Sequence, residues 1–242
     1  MKSNYLSIGR AARYLGLSIA TLRRWHKAGT LSATFISPGG RLYYSLANLQ
    51  QQTKGLTQSA LDWASDLDPT EPIPEWHCAT SDAFKARLER MNAALQIHPK
   101  QHHNAPLITA VTGEIGNNSF DHNLGNWPDI PGALFAYDLG KRTILLADRG
   151  VGILATLKRI RPQLVTHQEA LKVAFTEIIT ARAPEHRGNG LKFVRQAMMQ
   201  MNSNLKFWSG DAFLALTGKD AKLVLSKSPM QIRGCVAEIT FR

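Results

Sequence analysis

Cysteine is scarce in this chain: two in 242 residues, Cys78 and Cys235. Two thiols cannot build a disulfide framework or supply a four-ligand zinc site, so ordinary buried thiols are expected. No run of about 18 uncharged apolar residues occurs, which excludes a spanning helix and makes a membrane partner unexpected. The opening residues MKSNYLSIGR lack the apolar run of a secretory leader, and the cytosol is the expected compartment. The phosphate-loop pattern GxxxxGK[ST] is missing, so any nucleotide site is of another kind. Acidic side chains are absent from residues 1–54, which hold eight Lys or Arg, whereas residues 55–81 hold five Asp or Glu and no Lys or Arg. What is present is ordinary for a globular chain: 44% of residues are hydrophobic and 19% charged, with a net charge of +11, which argues against general disorder.

A module carrying only positive charge repels itself unless a polyanion neutralises it. Nucleic acid is the expected partner, through phosphate contacts and counterion release. The local pattern agrees. Ser7 can cap a helix over 8–15, with Ile8, Ala11, Ala12 and Leu15 on one face and Gly16 as its stop. Ser18 can cap a second helix over 19–27, closed by Gly29, with Leu22 and Trp25 turned inward. Thr21, Arg23, Arg24 and Lys27 lie on this helix too, and the basic residues fall on other faces. Residues 31–36 and 41–44, joined by Ser37-Pro38-Gly39-Gly40, predict a hairpin with Arg41 near its tip, and Ser45 can cap a short third helix. Two short helices, a tight turn and a wing make a helix-turn-helix unit, whose second helix can lie in the major groove.

The stretches SIGRAARYLGLS, TLRRWHKAGTL and GGRLYYSLANL resemble the MerR-type winged helix-turn-helix domains. The resemblance implies contact with double-stranded DNA by Thr21, Arg23, Arg24 and Lys27 on the second helix and by Arg41 and Tyr43 on the wing. Trp25 is expected in the core, and Tyr44 is either a core or a contact residue. MerR regulators carry a long dimerising helix next. Here residues 54–81 are acidic and contain Pro69, Pro72 and Pro74, so a homodimer is possible but not implied. This segment reads as a tether on which Leu61, Trp63 and Leu67 can dock. Its acids Asp62, Asp66 and Asp68 are expected to lie against the basic module when DNA is absent.

Beyond residue 81, a helix over 81–97 carries Phe84, Leu88, Met91 and Leu95 on one stripe, and a second helix spans 105–122. On the second, Glu114, Asn118 and Asp121 share a face. Carboxylates and an amide are expensive to bury there without a ligand, metal or water. Their oxygens suit a hydrated Mg²⁺ and an activated water. A hairpin, 133–138 and 142–147, leads to Asp148-Arg149-Gly150-Val151-Gly152-Ile153. This places a carboxylate at a strand end beside glycines that a planar ligand can approach, and Asp148 can accept from an exocyclic amine such as adenine N6. After a third helix over 167–181 comes Arg187-Gly188-Asn189-Gly190-Leu191, where glycines at a helix start free backbone N–H groups for phosphate. Three or four strands are expected near 204–209, 212–217, 222–226 and 232–241.

In this order the three boxes resemble the GHKL ATPases: gyrase, Hsp90, histidine kinases, MutL proteins and anti-sigma-factor kinases. The resemblance implies an ATP site with Mg²⁺. Asn118 would meet the metal and Asp148 the adenine. Gly150 and Gly152 would line the base and Gly188, Asn189 and Gly190 the phosphates, with Asp121, Ile153 and Leu191 also in the nucleotide site. Residues 154–187 would form a lid, and Lys158, Arg159, Arg161, Arg182 and Arg187 in or near it are candidates to reach the γ-phosphate, Arg187 foremost. Glu114 stands where hydrolysing members place their general base. The fold implied is α+β: a winged helix-turn-helix over 1–53, a linker over 54–81, and over 82–242 a Bergerat-type α/β sandwich of a mixed sheet with helices on one face. Three functions fit this pattern: an ATP-binding DNA regulator gated by nucleotide, an anti-sigma-type serine/threonine kinase held on DNA with a protein substrate, and a nucleotide-free adaptor that binds a protein.

Overall fold

In the computed structural model the described residues are 5–15, 17–29, 31–46, 48–49, 55–72, 74–177, 190–218 and 222–242. The N-terminal module runs β1 (Tyr5–Ser7), α1 (Ile8–Leu15), α2 (Ile19–Ala28), β2 (Phe35–Ile36) and β3 (Leu42–Ser45), with its sheet in the order β1-β3-β2. Ser18 caps α2 by accepting from the Thr21 N–H at 3.0 Å, and Gly29 ends it at φ 75°. Ser7 is the last residue of β1 and pairs with Tyr43; three residues are too few for periodicity to reveal a strand. The wing turns through Gly40 at φ 73°. Ser45 accepts from the Asn48 N–H at 3.1 Å, starting the third helical stretch. Ala11, Ala12, Leu15, Leu22, Trp25, Leu31, Tyr44 and Leu49 pack into one core.

The remaining chain forms α3 (Leu56–Ser65), β4 (His77–Cys78), α4 (Ser81–Gln96), α5 (Ala105–Asn123), β5 (Ala133–Asp138), β6 (Thr143–Asp148), α6 (Gly152–Lys158), α7 (His167–Thr176), α8 (Gly190–Gln200), β7 (Asn204–Thr217) and β8 (Lys222–Thr240). The strands make a five-stranded sheet, β4-β5-β6-β8-β7. Every pairing in it is antiparallel. This corrects the expected mixed sheet. The short strands expected near 204–209, 212–217, 222–226 and 232–241 merge into β7 and β8. Positive φ at Gly210 and Gly234 lets these two strands bend through bulges rather than break. Helix α7 is shorter than expected: it ends at Thr176 because Glu177 turns extended, at φ −112° and ψ 150°.

The sheet is covered on both faces. Phe135, Ile144, Leu146, Leu205, Phe207, Ala237 and Ile239 pack with α4, α5, α7 and α8. The alternate residues Leu134, Ala136, Leu145, Ala147 and Val236 pack with Leu56, Ala60, Leu61 and Ala64 of α3. The expectation of helices on one face is therefore corrected, and the reason lies in composition: β5 and β6 are apolar at consecutive positions, so both faces need cover. The segment expected to be a tether supplies that cover. Leu61 docks, and Leu67, which was also expected to dock, is 94% exposed.

Arg149 fastens α3 to the sheet. Its side chain is fully buried and donates from Nη2 to Asp129 Oδ2 at 2.8 Å and to the Asp66 carbonyl at 2.8 Å, and from Nη1 to the Trp63 carbonyl. The module and the larger domain meet at Trp76, which packs against both the module core and the outer sheet cluster, and at Tyr14, whose ring lies over Gly140.

Candidate functional site

Two faces carry chemistry. On the module, Arg23, Lys27 and Arg41 are exposed, and Tyr43 is half-buried with its ring stacked on Phe35, centroids 4.8 Å apart. Trp25 is a core residue, as expected, and so is Tyr44. Thr21 differs. It is 2% exposed, and its hydroxyl donates to Glu75 Oε1 at 3.0 Å. Arg24 pairs with the same oxygen. A helix N-terminal turn places Thr21 and Arg24 three apart on one face, so one carboxylate reaches both. Burial alone would push the Glu75 carboxyl up, but the Arg24 and Thr21 bonds hold it below its ordinary value. The acid that reaches the module is therefore Glu75, which corrects the expectation for Asp62, Asp66 and Asp68: Asp62 lies on α3 and accepts from Gln58, while the Asp66 side chain accepts from the Asp68 N–H.

On the larger domain, α5 presents Glu114 and Asn118 half-buried and Asp121 exposed. Burial pushes the Glu114 carboxyl up. A hydrogen bond with Asn118 opposes this, and the Asp121 charge adds to it. A Cβ added at Gly190 would lie 1.7 Å from Glu114 Oε1. The Glu114 carboxylate therefore sits against the first residue of α8, where the helix dipole favours negative charge.

Asp148 closes β6 and is 4% exposed. Oδ1 accepts from the Gly150 N–H at 2.8 Å and Oδ2 from the Ser119 hydroxyl at 2.9 Å. Burial raises its pKa to about 6, against the hydrogen bonds from Gly150, Ser119 and the Cys235 backbone. The space beside Gly150 is filled by Asn123, whose side chain would lie 2.0 Å from an added Cβ and whose Oδ1 accepts from the Val151 N–H at 2.9 Å. Gly152 opens α6 at φ 76°, and the Ser209 hydroxyl there accepts from the Ile153 N–H at 3.1 Å and donates to the Gly234 carbonyl at 2.9 Å. Ile153 and Leu191 pack on the main core.

Asp148, Gly150 and Gly190 thus each meet a residue of the second half of α5 (Ser119, Asn123 and Glu114), with Asn118 on the same half, while Gly152 meets Ser209 and Gly234, and Arg187, Gly188 and Asn189 lie outside the described residues. Among the described residues no three His, Cys, Asp or Glu side chains gather to hold a metal ion. Sequence reasoning did not single out Ser119, Asn123, Ser209 and Gly234. Ser119 and Asn123 stand four apart on α5, next to the polar face already noted, and that spacing was an available signal.

Among the described residues no helix is long and apolar enough to cross a membrane. None of the curated proteins matches the chain. Residues 6–51 match the family model described as "MerR HTH family regulatory protein". The N-terminal module is a MerR-type helix-turn-helix, the kind of module that a DNA-binding regulator carries.

Proposed function

We propose that the chain is a DNA-binding regulator whose larger domain binds ATP with Mg²⁺ in a GHKL-type site, and that nucleotide state sets DNA binding or partner choice. The observation that carries this reading is the convergence of three separated motifs: Ser119 on α5 bonds Asp148 at the end of β6, and Glu114 on α5 abuts Gly190 at the start of α8. The residues fit the ligand. A carboxylate has about four lone-pair sites, and Gly150, Ser119 and Cys235 use three at Asp148, which leaves one for an exocyclic amine. The start of α8 offers backbone N–H groups to phosphate. Asn118 would hold the hydrated ion and Glu114 would orient a water. The antiparallel sheet departs from the mixed sheet that the resemblance implies, so the reading rests on the boxes and not on strand directions.

Calorimetric titration with ATP, with and without Mg²⁺, tests it. The wild type should bind in a metal-dependent way. Asp148→Asn should weaken binding about a hundredfold, or roughly 2.7 kcal/mol, by presenting an amide where the base needs an acceptor. The fold should survive, because burial already disfavours the ionised carboxylate. A folded wild type that takes no ATP overturns the reading.

The DNA half has its own test. Arg23→Ala, Arg24→Ala and Arg41→Ala together should reduce affinity for duplex DNA about a hundredfold, with the slope of log K against log salt falling by about three. ATP affinity should not move. Unchanged DNA affinity in the triple variant would remove these residues from the interface.

A further inference from the structure

The chain itself covers one side of α2. The strap that does so, Pro74 to Trp76, belongs to the larger domain by its backbone. The Trp76 carbonyl accepts from the Phe135 N–H of β5 at 2.7 Å, and His77 pairs with Leu134. Arg87 of α4 donates to the Pro74 and His77 carbonyls at 3.2 and 3.3 Å. The strap's side chains reach the other way. Trp76 stands edge-on to Trp25, centroids 5.9 Å apart, and Glu75 binds Arg24 and Thr21.

What Glu75 offers these two residues is an anionic oxygen facing a guanidinium and a hydroxyl, which is the same donor set that holds a DNA phosphate. The seat is imperfect. Among the described residues Glu75 Oε2 is buried without a hydrogen bond, and an unsatisfied carboxylate oxygen in that position regains water when the strap lifts. Arg24 remains 58% exposed at its side chain, so an incoming polyanion can reach it.

We infer that Glu75 makes an autoinhibitory contact: its carboxylate occupies a phosphate position on Arg24 and Thr21, and duplex DNA binds fully only when the strap is displaced. This rests on α2 being the DNA-contacting helix. Strap and sheet move together. Ala133 of β5 pairs with Asp148, so a ligand that shifts the β5–β6 end carries the strap with it. That gives the larger domain a hydrogen-bonded route through the sheet to the DNA face.

The test is fluorescence anisotropy of the full chain with a labelled mixed-sequence duplex at low salt. Glu75→Ala should bind about tenfold tighter than wild type. Glu75→Gln should fall between, because its amide oxygen still accepts, and this variant keeps the side-chain shape if Glu75→Ala folds poorly. Glu71→Gln, which removes one exposed charge four residues before Glu75, should change affinity little. In an Arg24→Ala background Glu75→Ala should gain almost nothing. Unchanged binding by both Glu75 variants overturns the inference, as does an equal gain from Glu71→Gln. A triple arginine variant that weakens binding while Glu75→Ala fails to tighten it removes only the autoinhibition. Unchanged binding by the triple variant removes the reading of α2 and the inference with it.

Discussion

Arg149→Ala is expected to destabilise the chain by about 3–5 kcal/mol, the usual cost of breaking a buried ion pair by deleting one partner, and to lower the thermal midpoint by about 6–20 °C. The side chain is wholly buried, and its guanidinium carbon stands 5.8 Å from the centre of the Trp63 ring. Its loss leaves the Trp63 and Asp66 carbonyls, at the end of α3, without their donor. Asp129 keeps Arg233 at 3.0 Å, so the orphaned carbonyls and the cavity set most of the cost. Burial alone would raise the Asp129 carboxyl, and the Arg149 and Arg233 bonds hold it low. Removal of Arg149 should let it move back toward its ordinary value. Arg149→Lys should recover part of the stability, because a single ammonium cannot serve Asp129 and two carbonyls in one plane. Differential scanning calorimetry reads the midpoint, and a shift below about 2 °C would show that α3 is held by its apolar face alone.

Arg149 also marks where the sequence stopped being legible. The helix-turn-helix was readable because each local signal stood within a few residues of its partner: Ser18 with Thr21, Gly29 after α2, Gly40 in the wing turn. The polar stripe on α5 and the carboxylate at the end of β6 were readable for the same reason, since helical spacing and strand ends are local. The Arg149 network joins residues 20, 83 and 86 positions apart, and nothing in the one-dimensional pattern connects them. The acidic segment misled for a related reason. Asp and Pro suggested a solvated tether, whereas the four apolar positions Leu56, Ala60, Leu61 and Ala64 made a helix face whose need for a partner became visible only when β5 and β6 proved apolar on both sides. The glycines of the DxGxG stretch were read as making room for a ligand. In the structure the room beside Gly150 is taken by Asn123, 27 positions upstream, and burial of that kind has no local signature.

Gly234→Ala is expected to cost about 2–5 kcal/mol and to reach the proposed nucleotide site directly. Gly234 sits at φ 74°, a conformation that costs an alanine about 1–2 kcal/mol. An added Cβ would lie 2.3 Å from the Asp148 carbonyl, 2.4 Å from Asp148 Oδ1 and 2.6 Å from the Gly150 amide nitrogen. Two of these three atoms are backbone, so no side chain can swing aside, and the end of β6 must part from β8 where Asp148 pairs with Cys235. Overpacking adds about 1–3 kcal/mol. The displaced atoms are the carboxylate oxygen that accepts from Gly150 and the amide that donates to it. If the proposed ATP site holds, the variant should therefore lose ATP affinity more steeply than its stability loss explains, even at temperatures where it is fully folded. Gly150→Ala makes the contrast: its Cβ would meet the Asn123 side chain, which can rotate, so it should cost less stability while still disturbing the Val151 amide that Asn123 holds. Thermal melts and ATP titrations on both variants separate the two effects. A Gly234→Ala protein with an unchanged midpoint would mean that β8 can slide at its bulge without moving Asp148, and that the strand end is not the rigid seat that the site requires.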